Sequence, residues 1–256
     1  MVSRALTIAT SDSGGGAGIQ ADLKTFAALG VHGASAITAV TAQNTVTVTD
    51  IVEMSPEMVR AQIDAVVSDL GVQAAKTGML FSRTIIETVA AYLRERPVPL
   101  VVDPVMVASS GAQLLEDAAA GALVGELFPL ATVITPNLLE ARALAGGDGS
   151  PAELAERLHE LGAPAVIVTG GHTPDAVDHL FDGRAHLGIP VDRHPVAATH
   201  GAGCTHSATL AALLARGESL ADAARGAAAA ASLAVAQGLV EIGPGEGPVD
   251  VLGVRG

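Results

Sequence analysis

Short runs of apolar and β-branched residues recur along the chain, each followed by a stretch in which apolar positions return every three or four residues. Ala5 to Ala9, Ala34 to Thr41, Ala74 to Thr77, Leu100 to Asp103, Thr132 to Thr135 and Ala165 to Thr169 read as strands. Ala17 to Leu29, Pro56 to Leu70, Arg83 to Arg94, Leu138 to Ala145 and Pro151 to Leu161 read as helices, and Ser55-Pro56 and Ser150-Pro151 fit an N-cap followed by a first-turn proline. This alternation predicts an α/β fold, a parallel sheet covered by helices on both faces. Asp178 to Pro190, turning at Asp182-Gly183, predicts a hairpin, and helices over Gly203 to Arg216 and Leu220 to Leu239 close the chain. No linker or fixed-period repeat divides residues 1–256, so a single domain is expected.

In an open parallel sheet, ligands bind beyond the carboxyl ends of the strands. Those ends carry the polar and glycine-rich segments: Ser11 to Gly18, Gln43-Asn44, Gly78-Met79, Asp103-Pro104, Thr135-Pro136-Asn137 with Glu140, and Thr169-Gly170-Gly171. A length of 256 residues with 49% hydrophobic composition supports a substantial core. A formal charge of −13, with Lys24 and Lys76 the only lysines, argues against nucleic acid or an anionic membrane as partner. An anionic substrate must therefore be held by local geometry. One cysteine excludes an intrachain disulfide, and the amino-terminal residues lack a signal-peptide pattern, so a cytoplasmic location is expected. No apolar run approaches the ~20 residues of a bilayer span.

The densest chemistry lies at Thr199 to Thr205, where a glycine turn runs into a helix. The first N–H groups of a helix lack intrahelical partners and share the positive end of its dipole, so Gly201, Ala202, Gly203 and Cys204 could hold a phosphate. A thiol there is expected to ionise more easily. The bland alternative is a small buried cysteine beside an ordinary turn. Gly16-Ala17-Gly18-Ile19-Gln20-Ala21 fits a dinucleotide pattern, but the second strand ends in Gln43-Asn44 instead of an acidic ribose anchor, and no Gly-Lys-Ser/Thr follows. His200, Cys204 and His206 offer three metal-ligand types at an unpromising spacing. A cysteine hydrolase with a histidine partner is a further alternative.

Taken together, SDSGGGAGIQADLKTF, ITAVTAQNT, KTGM, VVDPVMVASSGAQLL, ITPNLLEA, VTGGH and THGAGCT resemble, in order, the hydroxymethylpyrimidine/phosphomethylpyrimidine kinases of thiamin synthesis, in the ribokinase-like superfamily. The resemblance implies a central, mostly parallel sheet with helices on both sides. It also implies ATP-dependent phosphorylation of 4-amino-5-hydroxymethyl-2-methylpyrimidine, and then of its monophosphate to the pyrophosphate. By the same resemblance, Cys204 takes the proton of the substrate hydroxyl, and the N–H groups of Gly201, Ala202 and Gly203 face the transferring phosphoryl group. Gln43, Ala17, Asp22 and Met79 match pyrimidine-pocket positions, and Asn137, Thr169, Gly170 and Gly171 nucleotide-binding ones. Glu140 and Asp103 are the candidate ligands for Mg2+. Asp22 also reads as an early-helix acid favoured by the dipole, and Met79 as core.

Thr169 and Ser109 stand where many relatives have lysine, Ala202 where they have threonine, Leu139 where proline is common, and His206 where an apolar residue is common. The expected partners are small molecules alone, with a homodimer left open. Two other functions compete: a pyridoxal or pyridoxine kinase of the same superfamily, and a catalytically silent nucleotide- or pyrimidine-binding protein.

Overall fold

A computed structural model describes residues 2–106, 119–171, 173 and 175–254. Nine strands form one sheet: β1 (Arg4–Asp12), β2 (His32–Gln43), β3 (Val48–Glu53), β4 (Ala74–Thr77), β5 (Leu100–Val102), β6 (Val133–Ile134), β7 (Val166–Val168), β8 (Val177–Phe181) and β9 (His186–Pro190). Their order is β3-β2-β1-β4-β5-β6-β7-β8-β9. The six strands from β2 to β7 in that order pair in parallel, while β3, β8 and β9 join antiparallel. The mostly parallel sheet implied by the sequence is borne out, with antiparallel strands at both edges.

Helices α1 (Gly18–Ala28), α7 (Ala202–Ala215) and α8 (Leu220–Ala236) cover one face. The other is covered by α2 (Pro56–Asp69), α3 (Arg83–Glu95), α4 (Ala119–Ala122), α5 (Leu138–Leu144) and α6 (Pro151–Glu160). Strand alternation divides the core: Leu6, Ile8, Ala75 and Val102 pack toward α2 and α3, whereas Ala5, Ala74 and Val101 pack toward α1 and α7. The same parity sends Thr7, Lys76 and Asp103 to the α1 and α7 face. Ser55 and Ser150 cap α2 and α6 as expected, each accepting a backbone N–H with its hydroxyl.

Two elements escape the hydrophobic pattern. Strand β3 is Val-Thr-Asp-Ile-Val-Glu, with no buried residue, and it exists because it pairs with β2 through Val40 and Val52. The segment from Ala119 to Leu130 contains Gly121, Gly125 and Pro129, which read as breakers, yet it runs helically through α4 into one wide turn and one tight turn. Burial of Leu123, Leu127 and Phe128 in the core overrides those local preferences. No helix among the described residues is long and apolar enough to cross a membrane.

The chain passes from β1 outward to β2 and β3, then returns to the other side of β1 as β4. That reversal opens a crevice at the carboxyl ends of β1 and β4.

Candidate active site

The loop leaving β1 is organised by an internal acid. Asp12 Oδ1 accepts the Gly14 N–H at 2.7 Å, and Oδ2 accepts those of Gly16 and Ala17 at 3.1 and 2.9 Å. His200 Nε2 lies 3.1 Å from the same Oδ2. Burial works against ionisation of Asp12, but His200 and the loop N–H groups outweigh it and hold the carboxyl below its ordinary value. A carboxylate therefore occupies the N–H groups that a dinucleotide phosphate would need, which removes the dinucleotide reading.

The loop is pressed against the turn before α7. Gly201, with φ 86°, caps α7, and a side chain there would run into the Gly16 carbonyl. A side chain on Gly16 would in turn strike His200. Of the four amides expected to form an anion hole, that of Ala202 donates instead to the Thr199 carbonyl at 3.0 Å. Of the expected donors, that leaves those of Gly201, Gly203 and Cys204 as candidates.

A buried polar floor lies beneath Cys204. Lys76 Nζ is 2.8 and 3.0 Å from the Asp22 oxygens and 3.8 Å from Asp103 Oδ2. The Thr7 hydroxyl donates to Asp22 at 2.6 Å, and the Ser207 hydroxyl donates to Asp103 at 2.8 Å. Burial opposes the Lys76 charge, yet Asp22, Cys204 and Asp103 raise its pKa above the ordinary lysine value. Burial pushes the Asp22 carboxyl up, while Lys76 and Thr7 pull it down. At 2.8 Å the geometry is that of an ammonium–carboxylate pair. Asp22 is neither an early-helix acid facing solvent nor open to a pocket, because its side chain is fully buried on Lys76.

Cys204 departs from expectation. Its thiol is pushed up to about 12, first by burial; Lys76 lowers it, Asp22 and Asp103 raise it, and the Gly18 N–H lowers it. Surrounding protein outweighs the helix terminus, so the thiol is neutral near pH 7, not readily ionised.

Across the crevice, Asn137 caps α5. Its side chain accepts the Leu139 and Glu140 N–H groups at 2.9 and 3.0 Å, and Glu140 Oε2 accepts the Asn137 N–H at 2.9 Å. Glu140 Oε1 faces the Met106 N–H at 3.4 Å. Burial and then the Asp103 charge push Glu140 up to about 8, against the pull of these two N–H groups. Thr169 N–H donates to the Pro136 carbonyl at 3.0 Å, which sets the Thr169 to Gly171 turn beside Asn137. Ser109 lies outside the described residues.

On the pyrimidine side, Gln43 is partly exposed, and its Oε1 accepts the Thr41 hydroxyl at 3.1 Å. The Ser13 hydroxyl donates to the Gln43 carbonyl at 2.8 Å, tying the glycine loop to the end of β2. Ala17 remains partly exposed at the start of α1. Met79 is buried, and its carbonyl accepts the Thr10 and Thr38 hydroxyls at 3.2 and 2.9 Å.

His200 and His206 turn to different carboxylates, Asp12 and Asp178, and among the described residues no three metal-ligating side chains converge. The metal reading of His200, Cys204 and His206 fails on that geometry. Sequence reasoning also missed Lys76, Asp12 and Ser207 as parts of the site. A lysine inside the four-residue strand Ala74–Thr77 is the one signal that pointed to a buried partner.

Comparison with known proteins gives the kinship of the whole chain. The chain is 52% identical over 257 residues to the hydroxymethylpyrimidine/phosphomethylpyrimidine kinase of Rhizobium meliloti (strain 1021), covering 97% of each. Its structure matches Bacillus subtilis pyridoxal kinase, solved as an ADP complex, with a TM-score of 0.91 at 38% identity, covering 100% of this chain and 99% of that one. It matches phosphomethylpyrimidine kinase from Clostridium difficile 630 with a TM-score of 0.79 at 38% identity, over 89% and 96% of the two chains. Residues 12–250 fit the family model described as phosphomethylpyrimidine kinase, and with that likeness spanning the sheet, the glycine loop and the α7 turn, the chain belongs to this family.

Proposed function

We propose that this protein transfers the γ-phosphoryl group of ATP to the hydroxyl of hydroxymethylpyrimidine, and then a second phosphoryl group to the resulting monophosphate. One observation carries the reading: the amino end of α7, with Cys204, stands over the Lys76 floor between the Gln43 side and the Glu140 side of one crevice. Phosphoryl transfer needs chiefly positioning and stabilisation of dispersed negative charge. The N–H groups of Gly201, Gly203 and Cys204 supply the second, and Lys76 adds a fixed positive charge below them. Gln43 and Ala17 hold the pyrimidine, with the Gln43 amide aligned by Thr41. Met79 shapes the pocket wall, and Asp22 serves through Lys76.

Asn137 and the Thr169 to Gly171 turn lie along the nucleotide phosphates. Beyond them, a groove of about 280 Å3 between β9 and α8, lined by Ile189, Val191, His194, Ala229 and Leu233, takes the base. Arg193, between the groove residues Asp192 and His194, donates to the Thr173 carbonyl, two residues beyond Gly171. Asp103 and Glu140 fit Mg2+: both are buried oxygen donors, and burial first and the Asp103 charge second raise Glu140 to about 8, a cost that a cation between them would relieve. When bound there, the ion would neutralise charge on the nucleotide oxygens. Cys204 faces the substrate hydroxyl and accepts its proton only as the thiolate, a minor form near pH 7 that Lys76 favours.

A second reading, phosphorylation of pyridoxine, draws support from the 0.91 TM-score to a pyridoxal kinase. ATP turnover measured separately with hydroxymethylpyrimidine, its monophosphate and pyridoxine tests both. Turnover of both pyrimidines supports the first, turnover of pyridoxine alone replaces it, and nucleotide binding without turnover of any of the three defeats both.

A further inference from the structure

His206 stands on the buried side of α7, two residues after Cys204, and its side chain is 5% exposed. Its Nε2 lies 3.0 Å from Asp178 Oδ2. Asp178, on β8, is equally buried, and its other oxygen accepts the Gly170 N–H at 2.6 Å. One carboxylate thus joins the first turns of α7 to the turn that leaves β7. Gly170 cannot stand away from this arrangement, because a side chain on it would run into the Val177 backbone.

We propose that His206 and Asp178 are positioning residues for the nucleotide, holding the Thr169 to Gly171 turn in register with the amino end of α7. The proposal rests on reading that turn as nucleotide-binding. Two elements that contact one polyphosphate must keep a fixed separation, since a misplaced donor loses both hydrogen-bond distance and angle. Strand β7 fixes the turn only through the sheet, and α7 packs mainly on α8 and α1 and, within the sheet, on β4, β1 and β5. Besides the general packing of the core, the Asp178 carboxylate is a direct polar link between turn and helix. An apolar residue at 206, common among the resembled kinases, would leave one oxygen of a buried carboxylate without this donor. In this chain the histidine supplies it and ties the helix to the turn.

The test is the KM for ATP, read against the KM for hydroxymethylpyrimidine, in the full chain with Mg2+. His206→Leu should raise the ATP KM about tenfold, the size of one lost hydrogen bond to a charged group, and leave the pyrimidine KM within about twofold. His206→Gln, whose amide can donate to Asp178, should recover most of the loss. The double variant His206→Leu/Asp178→Asn guards against a folding defect: it removes the unpaired charge and keeps an acceptor for Gly170, but not the link, so its ATP KM should stay high. A folded variant lacking the link with the parent's ATP KM overturns the proposal, as does an equal rise in both KM values. Gly171→Val tests the underlying reading separately, because Gly171 is exposed and a side chain there meets nothing within 4 Å. A raised ATP KM in Gly171→Val without one in His206→Leu rejects the tether alone, and an unchanged ATP KM in Gly171→Val rejects the turn and the tether together.

Discussion

Lys76 Nζ sits 2.8 Å from Asp22 Oδ1, with both side chains wholly withdrawn from solvent. Strand parity aims Lys76 at the α1 and α7 face, and Asp22, one turn into α1, meets it there. Removing two charges from water is costly, and a buried pair is weak grounds for stability. Under the proposed function it contributes instead a positive charge beneath the α7 amides, where phosphoryl oxygens would gather.

Breaking the pair from one side should therefore be severe. Lys76→Met leaves the Asp22 carboxylate buried with only the Thr7 hydroxyl, and the expected loss is about 3 to 5 kcal/mol in urea unfolding. Lys76→Met/Asp22→Leu should recover much of that stability while leaving turnover low, because the positive charge is still missing. If the double variant turned over ATP at the parent rate, Lys76 would have no electrostatic part in the reaction.

Glu140 should make the metal-free protein sensitive to pH. Its carboxyl is raised from an ordinary 4.5 to about 8, so the folded state holds a proton that the unfolded chain releases. The resulting contribution to stability is present below about pH 4.5 and disappears as pH rises through about 8. Glu140→Gln should flatten this fall in Tm, and Mg2+ should oppose it in the parent by taking the proton's place. The variant should also need more Mg2+ for turnover. Identical pH slopes in parent and variant, measured in chelator, would detach Glu140 from this role.

Gln43 is expected to act on both pyrimidine substrates and not on ATP. With Thr41 fixing its oxygen, the Gln43 amide is oriented before the ring arrives, so Gln43→Leu should cost about 1 to 3 kcal/mol in pyrimidine recognition. Kinetics with each pyrimidine should show that loss, with the ATP KM unchanged. Parent values for both pyrimidines would remove Gln43 from the site.

How far the sequence was legible follows from where each residue draws its partners. Apolar runs mark β1 and β4, which are buried on both faces, and apolar periodicity marks α3, which buries one. Both miss β3, whose partner is a neighbouring strand, and the Ala119 to Leu130 segment, where tertiary burial overrides glycine and proline. In the candidate site, the motif order pointed to Cys204, Gln43 and Glu140, which the fold brings to one crevice. The links from Asp12 to His200 and from Asp178 to His206 span 188 and 28 residues, and no local pattern encodes them. The same blindness explains the thiol: the helix terminus is visible in the sequence, whereas burial by neighbouring elements is not.

The two phosphorylations should depend differently on Cys204. Hydroxymethylpyrimidine presents a neutral hydroxyl, which must lose a proton as it attacks, and a base there is worth roughly 10²- to 10⁴-fold. The monophosphate presents an oxygen already largely ionised near neutral pH, since its second pKa lies near ~6. It needs no base. Cys204→Ala should therefore slow the first step far more than the second, because the α7 backbone amides survive the substitution. With the resting thiol at about 12, the first step in the parent should also quicken as pH rises toward that value, and this slope should vanish in Cys204→Ala. Cys204→Asp should restore part of the first step, limited by repulsion between its fixed charge and the phosphates. Single-turnover rates with each substrate decide the matter: equal losses in Cys204→Ala would assign the thiol to general positioning, and no loss in either step would leave Cys204 as packing beneath the α7 turn.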